Sequence, residues 1–171
     1  MANFEIAIER TLQWEGTYSV DSKDPGGETL FGIARKRHFE WSGWQRVDEL
    51  KKHFSGSNLT GVLSADGGLL ESAKLFYEEN FWNYDEINSQ AVANKVFDLG
   101  VNTGVHQAVK FLQRAAGVPD DGIFGPHTLE ATNSANSAVL LDKLRDIATD
   151  YYKSLPDFPR YGKGWLRRLE S

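Results

Sequence analysis

Apolar side chains recur every three to four residues along most of this chain. The pattern begins with Phe4, Ile8 and Leu12, and its last long stretch runs from Leu140 to Tyr151. That period belongs to an α-helix with one buried face. The chain is therefore predicted to be mainly helical, with about seven helices. Its 171 residues suit one domain with a sizeable core.

Polar and glycine-rich segments separate these helical stretches. Asn3 is expected to cap the first helix and Gly16 to end it in a left-handed conformation. Residues 16–29 hold several glycines and a proline, so they are predicted to form turns and a short β-hairpin. Thr29 is expected to cap a short helix that runs through Arg37.

Further boundaries follow from the same residue types. The stretch "SGSNLTG" at 55–61 is predicted to be a loop, and Pro126 suits the first position of a helix. Ser137 is expected to cap the long helix after it. Ile123 and Phe124 are the bulky apolar residues of the turn "DDGIFGP", so both are predicted to be buried anchors.

Glu15 stands where the first helix should end. The last helical turn carries partial negative charge, which disfavours a carboxylate relative to its protonated form. Trp14 beside it would act in the same direction by excluding water. A protonated carboxyl is what a general acid requires. The alternative is a solvated glutamate at a frayed helix end.

Asp24 lies nine residues after Glu15, in a loop that also holds Asp21 and Glu28. Glycosidic bond cleavage commonly uses one protonated and one ionised carboxyl group on either side of the bond. Asp24 is the preferred second carboxylate, to orient water or stabilise the oxocarbenium-like state. It is equally suited to an Asx-turn before Pro25, and the spacing leaves the roles of Asp21 and Glu28 open.

These residues also carry a family resemblance. "WEGTYSVDSKDPGGETLFGIA" resembles the Glu-Gly-Gly-Tyr and Asp-Pro-Gly-Gly-x-Thr signatures of glycoside hydrolase family 108, which comprises phage endolysin-type and bacterial N-acetylmuramidases. Thr17 stands where that family commonly has glycine. The resemblance implies an α+β lysozyme-like fold in which a loop or short β-hairpin forms one wall of the cleft. It also places the catalytic acid at Glu15 and the other catalytic residues at Asp24 and Thr29.

The second half of the chain resembles a peptidoglycan-binding portion. The pattern "LQ…GV…DGIFGP.T" is similar to the core of common peptidoglycan-binding modules. The resemblance implies a lysozyme-like catalytic part at 1–91 and a peptidoglycan-binding-like helical part at 92–171. Because no flexible linker separates them, the two parts are expected to pack as one compact structural domain.

Three further residues are candidates for contact with the sugar. Tyr18 lies in the acidic loop near Glu15, and its ring suits an apolar sugar face. Asp98 and Asn102 share one helix face at a spacing of four residues. Asn102 would hydrogen-bond an acetamido group across the cleft, or else cap its helix. Packing in the core is favoured for three tryptophans, Trp41, Trp44 and Trp82.

Composition limits the remaining functions. The net charge of −5 argues against nucleic-acid binding, and the four histidines lack the spacing of a zinc site. No cofactor or metal is expected. No apolar stretch approaches the ~20 residues that a membrane helix needs. The expected partner is the glycan strand of peptidoglycan, bound by a monomer. The N-terminus lacks a secretory signal, so the chain is expected to reach the wall by holin-type release or non-classical export.

The predicted reaction is hydrolysis of the β-1,4 bond between N-acetylmuramic acid and N-acetylglucosamine, as in lysozyme. One alternative is a lytic transglycosylase, which also uses one glutamate but forms an anhydro product. Another is a non-catalytic protein of cell-wall binding or secretion. A carboxyl at the end of a helix argues against the latter, because binding alone does not require it.

Overall fold

Helices form most of the computed structural model, which describes residues 1–20 and 27–171. Within these residues there are nine helices, and none of them is long and apolar enough to cross a membrane. They are α1 (Phe4–Glu15), α2 (Gly43–Lys51), α3 (Gly56–Ala65), α4 (Gly67–Phe81), α5 (Gln90–Thr103), α6 (Val105–Ala116), α7 (Pro126–Ser134), α8 (Ser137–Ser154) and α9 (Phe158–Glu170).

A small antiparallel sheet follows α1. It consists of β1 (Tyr18–Val20), β2 (Glu28–Leu30) and β3 (Ile33–Ala34), in that order across the sheet. Tyr18 pairs with Leu30 in the first ladder, and Leu30 pairs with Ile33 in the second. Phe31 and Gly32 form the two-residue turn between β2 and β3, which brings the chain straight back on itself.

The described chain forms two structural units. The hairpin unit comprises Ile8–Asn80, with the sheet and α2 to α4. The helical unit comprises Met1–Ala7 and Phe81–Ser171, with α5 to α9. The larger apolar side chains of the hairpin unit that are almost fully buried are Ile8, Leu30, Ile33, Val47, Leu63 and Leu69.

In the helical unit, α5 and α8 both pack against α6, and α8 also packs against α9. Their buried side chains include Phe97, Leu99, Val109, Phe111, Leu112, Leu140 and Leu144. Polar contacts join α5 to α9. Arg168 donates from Nη2 to Oδ1 of Asp98 at 2.8 Å, and Lys95 donates from Nζ to the carbonyl of Leu169 at 2.6 Å. Buried charges need such partners, so these contacts fix the last helix on α5.

Gln113 organises the turn between α6 and α7. Its Nε2 donates to Oδ1 of Asp121 at 2.7 Å and to Oγ1 of Thr128 at 3.0 Å. Its Oε1 accepts from the backbone N–H of Gly122 at 2.8 Å. The glutamine, the "DG" pair and the final threonine of the quoted pattern are therefore joined to one another. Gln113 is 2% exposed, so its amide makes these hydrogen bonds from a buried position.

The start and end of α1 are confirmed. Oδ1 of Asn3 accepts from the N–H of Glu5 at 2.8 Å, and Gly16 follows the helix with φ +70°. The prediction of a short helix capped by Thr29 is wrong, because Thr29 lies in β2 and pairs with Ala34. The turn after Leu30 forces that segment into a hairpin.

Other expectations about the segments need correction. Residues 55–61 are not a loop but mostly belong to α3, because Leu59 and Leu63 lie one turn apart and are both buried. Asn136 rather than Ser137 caps α8, by accepting from Ala138 N and Val139 N. Ile123 is 67% exposed, so it is no buried anchor.

Three tryptophans were expected to pack in the core. Trp41 and Trp44 are buried, and Trp82 packs edge to face against Phe4 and Phe97. The expected core role is confirmed for Trp41 and Trp44, whereas Trp82 is half-buried.

Candidate active site

Glu15 is the last residue of α1, and its side chain is half-buried. Gly16, with its positive φ, ends the helix and lets the chain enter β1 at Tyr18. The carboxyl group therefore stands at the end of a rigid helix, three residues before the strand that begins at Tyr18.

The turn between β2 and β3 lies directly against this carboxyl group. A Cβ atom added to Gly32 would overlap Oε2 of Glu15 and would stand 2.5 Å from the hydroxyl oxygen of Tyr77. The φ of Gly32 is +81°, a conformation that favours glycine. The approach of this backbone to Glu15 and Tyr77 is thus possible only because position 32 has no side chain.

Phe31, the other turn residue, adopts φ +49° although it is not glycine. Three contacts hold it in this conformation. Its N–H donates to the carbonyl of Thr17 at 2.7 Å, its own carbonyl accepts from the Tyr77 hydroxyl at 2.9 Å, and its ring is buried. Backbone strain of this kind persists where the surroundings fix it, and it is common at functional sites.

Glu28, at the start of β2, is the centre of a charged network. Its Oε1 accepts from the hydroxyl of Tyr18 and from Nζ of Lys51, both at 2.8 Å. Its Oε2 accepts from Nη1 of Arg35 at 2.8 Å. Nη1 of Arg35 also donates to Oδ1 of Asp48 at 2.7 Å. The network therefore joins β1, β2 and α2.

The network changes the pKa values of Glu28 and Tyr18. Burial alone would raise the pKa of Glu28, but hydrogen bonds from Lys51, Arg35 and Tyr18 lower it below its ordinary value. The pKa of Tyr18 is raised, first by burial and then by its hydrogen bond to Glu28. Glu28 is consequently held as a carboxylate and Tyr18 as a neutral phenol.

The lowered pKa of Glu28 predicts how the stability of the fold depends on pH. A carboxyl whose pKa is lower in the folded state stabilises the fold above its unfolded pKa, near 4.5, and loses that effect as the pH falls. Replacing Glu28 with Gln should therefore lower the free energy of unfolding at pH 7 and have a much smaller effect at pH 3. Denaturant midpoints at both pH values measure this. The matched control is Glu40→Gln, at an exposed position. An effect of Glu28→Gln that is equal at both pH values would contradict the prediction.

The residues predicted from the sequence lie at different places. Asp24 and Asp21 are outside the described residues. Thr29 is half-buried in β2, on the opposite face of the strand from Glu28 and Leu30. The hydroxyl of Tyr18 donates to Glu28, so its proton is not available to a sugar.

The other two predicted contacts lie on α5 in the helical unit. Asp98 accepts from Arg168 with both carboxylate oxygens, at 3.0 and 3.2 Å from Nε. The two side chains are 15% and 11% exposed. Asn102 lies one turn further along α5 and is exposed.

Sequence reasoning missed two parts of this site. The first is the Phe31–Gly32 turn with its partner Tyr77. The second is the role of Arg35, Asp48 and Lys51 around Glu28. The signal for the turn was the glycine after the short run "ETLF", flanked on the other side by Ile33 and Ala34.

The fold and the site together define a class of protein. A mainly helical chain, with a small antiparallel sheet after its first helix and a glutamate at that helix's end, has the α+β lysozyme-like fold. One solved structure, "Structure of Brucella abortus SagA", superposes with a TM-score of 0.70 and 28% sequence identity. The match covers 98% of this chain and 89% of the Brucella abortus chain. No curated protein matches this chain.

The particular family follows from two models. Residues 8–104 match the model "Glycosyl hydrolase 108", and residues 107–170 match a model described as "Predicted Peptidoglycan domain". The chain belongs to glycosyl hydrolase family 108. It is a glycosidase with a peptidoglycan-binding domain, and peptidoglycan is its partner.

Proposed function

We propose that this glycosidase is an N-acetylmuramidase and that Glu15 is its general acid. The reaction is hydrolysis of the β-1,4 bond between C1 of N-acetylmuramic acid and O4 of N-acetylglucosamine. Glu15 gives its proton to the bridging oxygen as the C1–O bond breaks. Water supplies the hydroxyl group to C1, and its remaining proton passes to a base.

The observation that carries this proposal is the contact between Glu15 and the Phe31–Gly32 turn. A general acid has to be held in place while the bond breaks, since a small displacement of a reacting group is costly. The helix end holds Glu15 from one side. The turn, itself held by Tyr77 and Thr17, limits its movement from the other.

Four more residues have roles in the same proposal. Asp24 is the second carboxylate, which orients water or stabilises the oxocarbenium-like state. The ring of Tyr18 packs on the apolar face of a sugar, and Asn102 hydrogen-bonds an acetamido group. Thr29 helps to position water. Both oxygens of Asp98 accept from Arg168, so we assign Asp98 to the structure of the helical unit.

The test is the mass of the products released from purified sacculi. Hydrolysis adds one water to each cleaved bond and leaves N-acetylmuramic acid at the new reducing end. We expect these products, and borohydride reduction before acid hydrolysis identifies the terminal sugar. An anhydro-muramic end would instead establish a transglycosylase. Binding to sacculi without release of reducing ends would establish a non-catalytic wall-binding protein.

A further inference from the structure

A groove of about 460 Å³ lies in the helical unit. One wall is the segment that leads into α5, and the other is the start of α7 with the residue before its cap. The first wall is polar and acidic, and the second is mainly apolar. The lining residues are Asn83, Asp85, Glu86, Phe124, Gly125, Pro126 and Leu129.

The acidic wall is fixed in place. The indole Nε1 of Trp82 donates to Oδ1 of Asp85 at 2.9 Å. Asn133 holds the next residues, since its Nδ2 donates to the carbonyl of Glu86 and its Oδ1 accepts from the N–H of Asn88. A ligand that meets this wall therefore meets carboxylates on a backbone that is already ordered.

The apolar wall is equally well supported. The ring of Phe124 packs edge to face on Tyr84, with the ring centroids 5.2 Å apart. Tyr84 is fully buried. The carbonyl of Ile123, next to Phe124, accepts from Nε2 of Gln113 at 3.1 Å. The half-buried Phe124 is thereby presented to the groove from a rigid turn.

The charge of the groove indicates its ligand. Asp85 and Glu86 are exposed carboxylates, and the described residues that line the groove include no lysine or arginine. Such a site is complementary to an ammonium group, while the wall of Phe124 and Leu129 suits small apolar groups. Peptidoglycan stem peptides combine these features, because they carry alanine methyl groups and a diamino acid whose side-chain amine is free where strands are not cross-linked.

We propose that this groove binds the peptidoglycan stem peptide through the free ammonium group of its diamino acid. The proposal rests on peptidoglycan being the ligand of this chain and adds a second point of recognition, on the peptide rather than the glycan. It places part of the affinity for the wall in Asp85 and Glu86.

Binding to purified sacculi tests the proposal with the full chain carrying Glu15→Gln, so that the wall is not degraded. The double variant Asp85→Asn/Glu86→Gln removes both charges but keeps an acceptor for Trp82. The matched control is Asp146→Asn/Asp150→Asn, which removes the same charge from exposed positions of α8. A second arm compares untreated sacculi with sacculi whose amines are acetylated. A third titrates the tripeptide L-Ala-γ-D-Glu-L-Lys and its Nε-acetyl form.

We expect the groove variant and the acetylation of the wall each to weaken binding about five- to tenfold, given the modest strength of exposed charge pairs. The control variant should bind as the parent chain does, and the acetylated tripeptide should bind more weakly than the free one. Equal binding of both tripeptides, or an equal loss in the control variant, would overturn the proposal. The tripeptide arm does not depend on catalysis, so it stands apart from the test of hydrolysis.

Discussion

Replacing Glu15 with Gln should lower the rate of peptidoglycan hydrolysis at least about 100-fold, the usual contribution of a general acid. The amide keeps the shape of the side chain but has no acidic proton to transfer to the glycosidic oxygen. The loss should appear in kcat, since the wall is still bound. Because the amide occupies nearly the same space at the end of α1, the free energy of unfolding should change little.

The control for this variant is Glu9→Gln, at an exposed position of the same helix. It makes the same acid-to-amide change in α1 without touching the hairpin turn, so its turnover should match that of the parent enzyme. Release of reducing ends from sacculi measures both variants, and a thermal melt confirms that each is folded. Turnover of Glu15→Gln within tenfold of the parent would remove Glu15 from the catalytic role.

The place of Glu15 could be read from the sequence because it depends on local rules. The stripe of Phe4, Ile8 and Leu12 sets the phase of α1, and Gly16 marks its end. Helix phase and a left-handed C-terminal glycine act within a few residues of one another. The position of the carboxyl at the end of the helix therefore followed without knowledge of the rest of the fold.

The turn that faces Glu15 could not be read in the same way. Two-residue hairpins with positive φ at both positions favour Asn-Gly or Asp-Gly, whereas here Phe31 takes the first position. What holds Phe31 there is the hydroxyl of Tyr77, which is 46 residues away in sequence. Gly32 is the local signal of a turn, but the conformation of Phe31 depends on a partner too distant to be read from the neighbouring residues.

For the turn "DDGIFGP", the sequence predicted one feature correctly and another incorrectly. Its letters predicted a turn before a helix that begins at Pro126, and α7 begins there. They did not show which residue anchors it. Size and polarity favoured Ile123 and Phe124, but Ile123 is exposed and Phe124 is only half-buried. The fully buried residue at the turn is Gln113, whose amide makes the contacts that the turn backbone needs. Apolar residues are often exposed, so a bulky side chain in a turn is weak evidence of burial.

The second large loss of activity is expected for the variant Gly32→Ala. An alanine there has to adopt a positive φ, which costs about 1–2 kcal/mol, and its methyl group would overlap the carboxyl of Glu15 and crowd the hydroxyl of Tyr77. Either Glu15 moves or the turn moves away from Tyr77. A displacement of the acid by about 1 Å is enough to lower the rate on the order of 100-fold. Gly32→Ala should therefore lose most of its hydrolytic activity as well as some stability.

The variant Gly117→Ala separates the effect of backbone strain from the effect of the overlap with Glu15. Gly117 ends α6 with φ +76° and has no atom within 4 Å of an added Cβ, so the variant carries the backbone strain without the collision. Its unfolding free energy should fall by about 1–2 kcal/mol while its turnover stays at the parent level. Denaturant melts and reducing-end release, both measured well below the melting temperature, compare the two variants. If Gly32→Ala keeps turnover within fivefold of Gly117→Ala, the turn does not position Glu15. If only Gly32→Ala loses turnover, the backbone at position 32 sets the place of the acid, because strain alone is common to both variants.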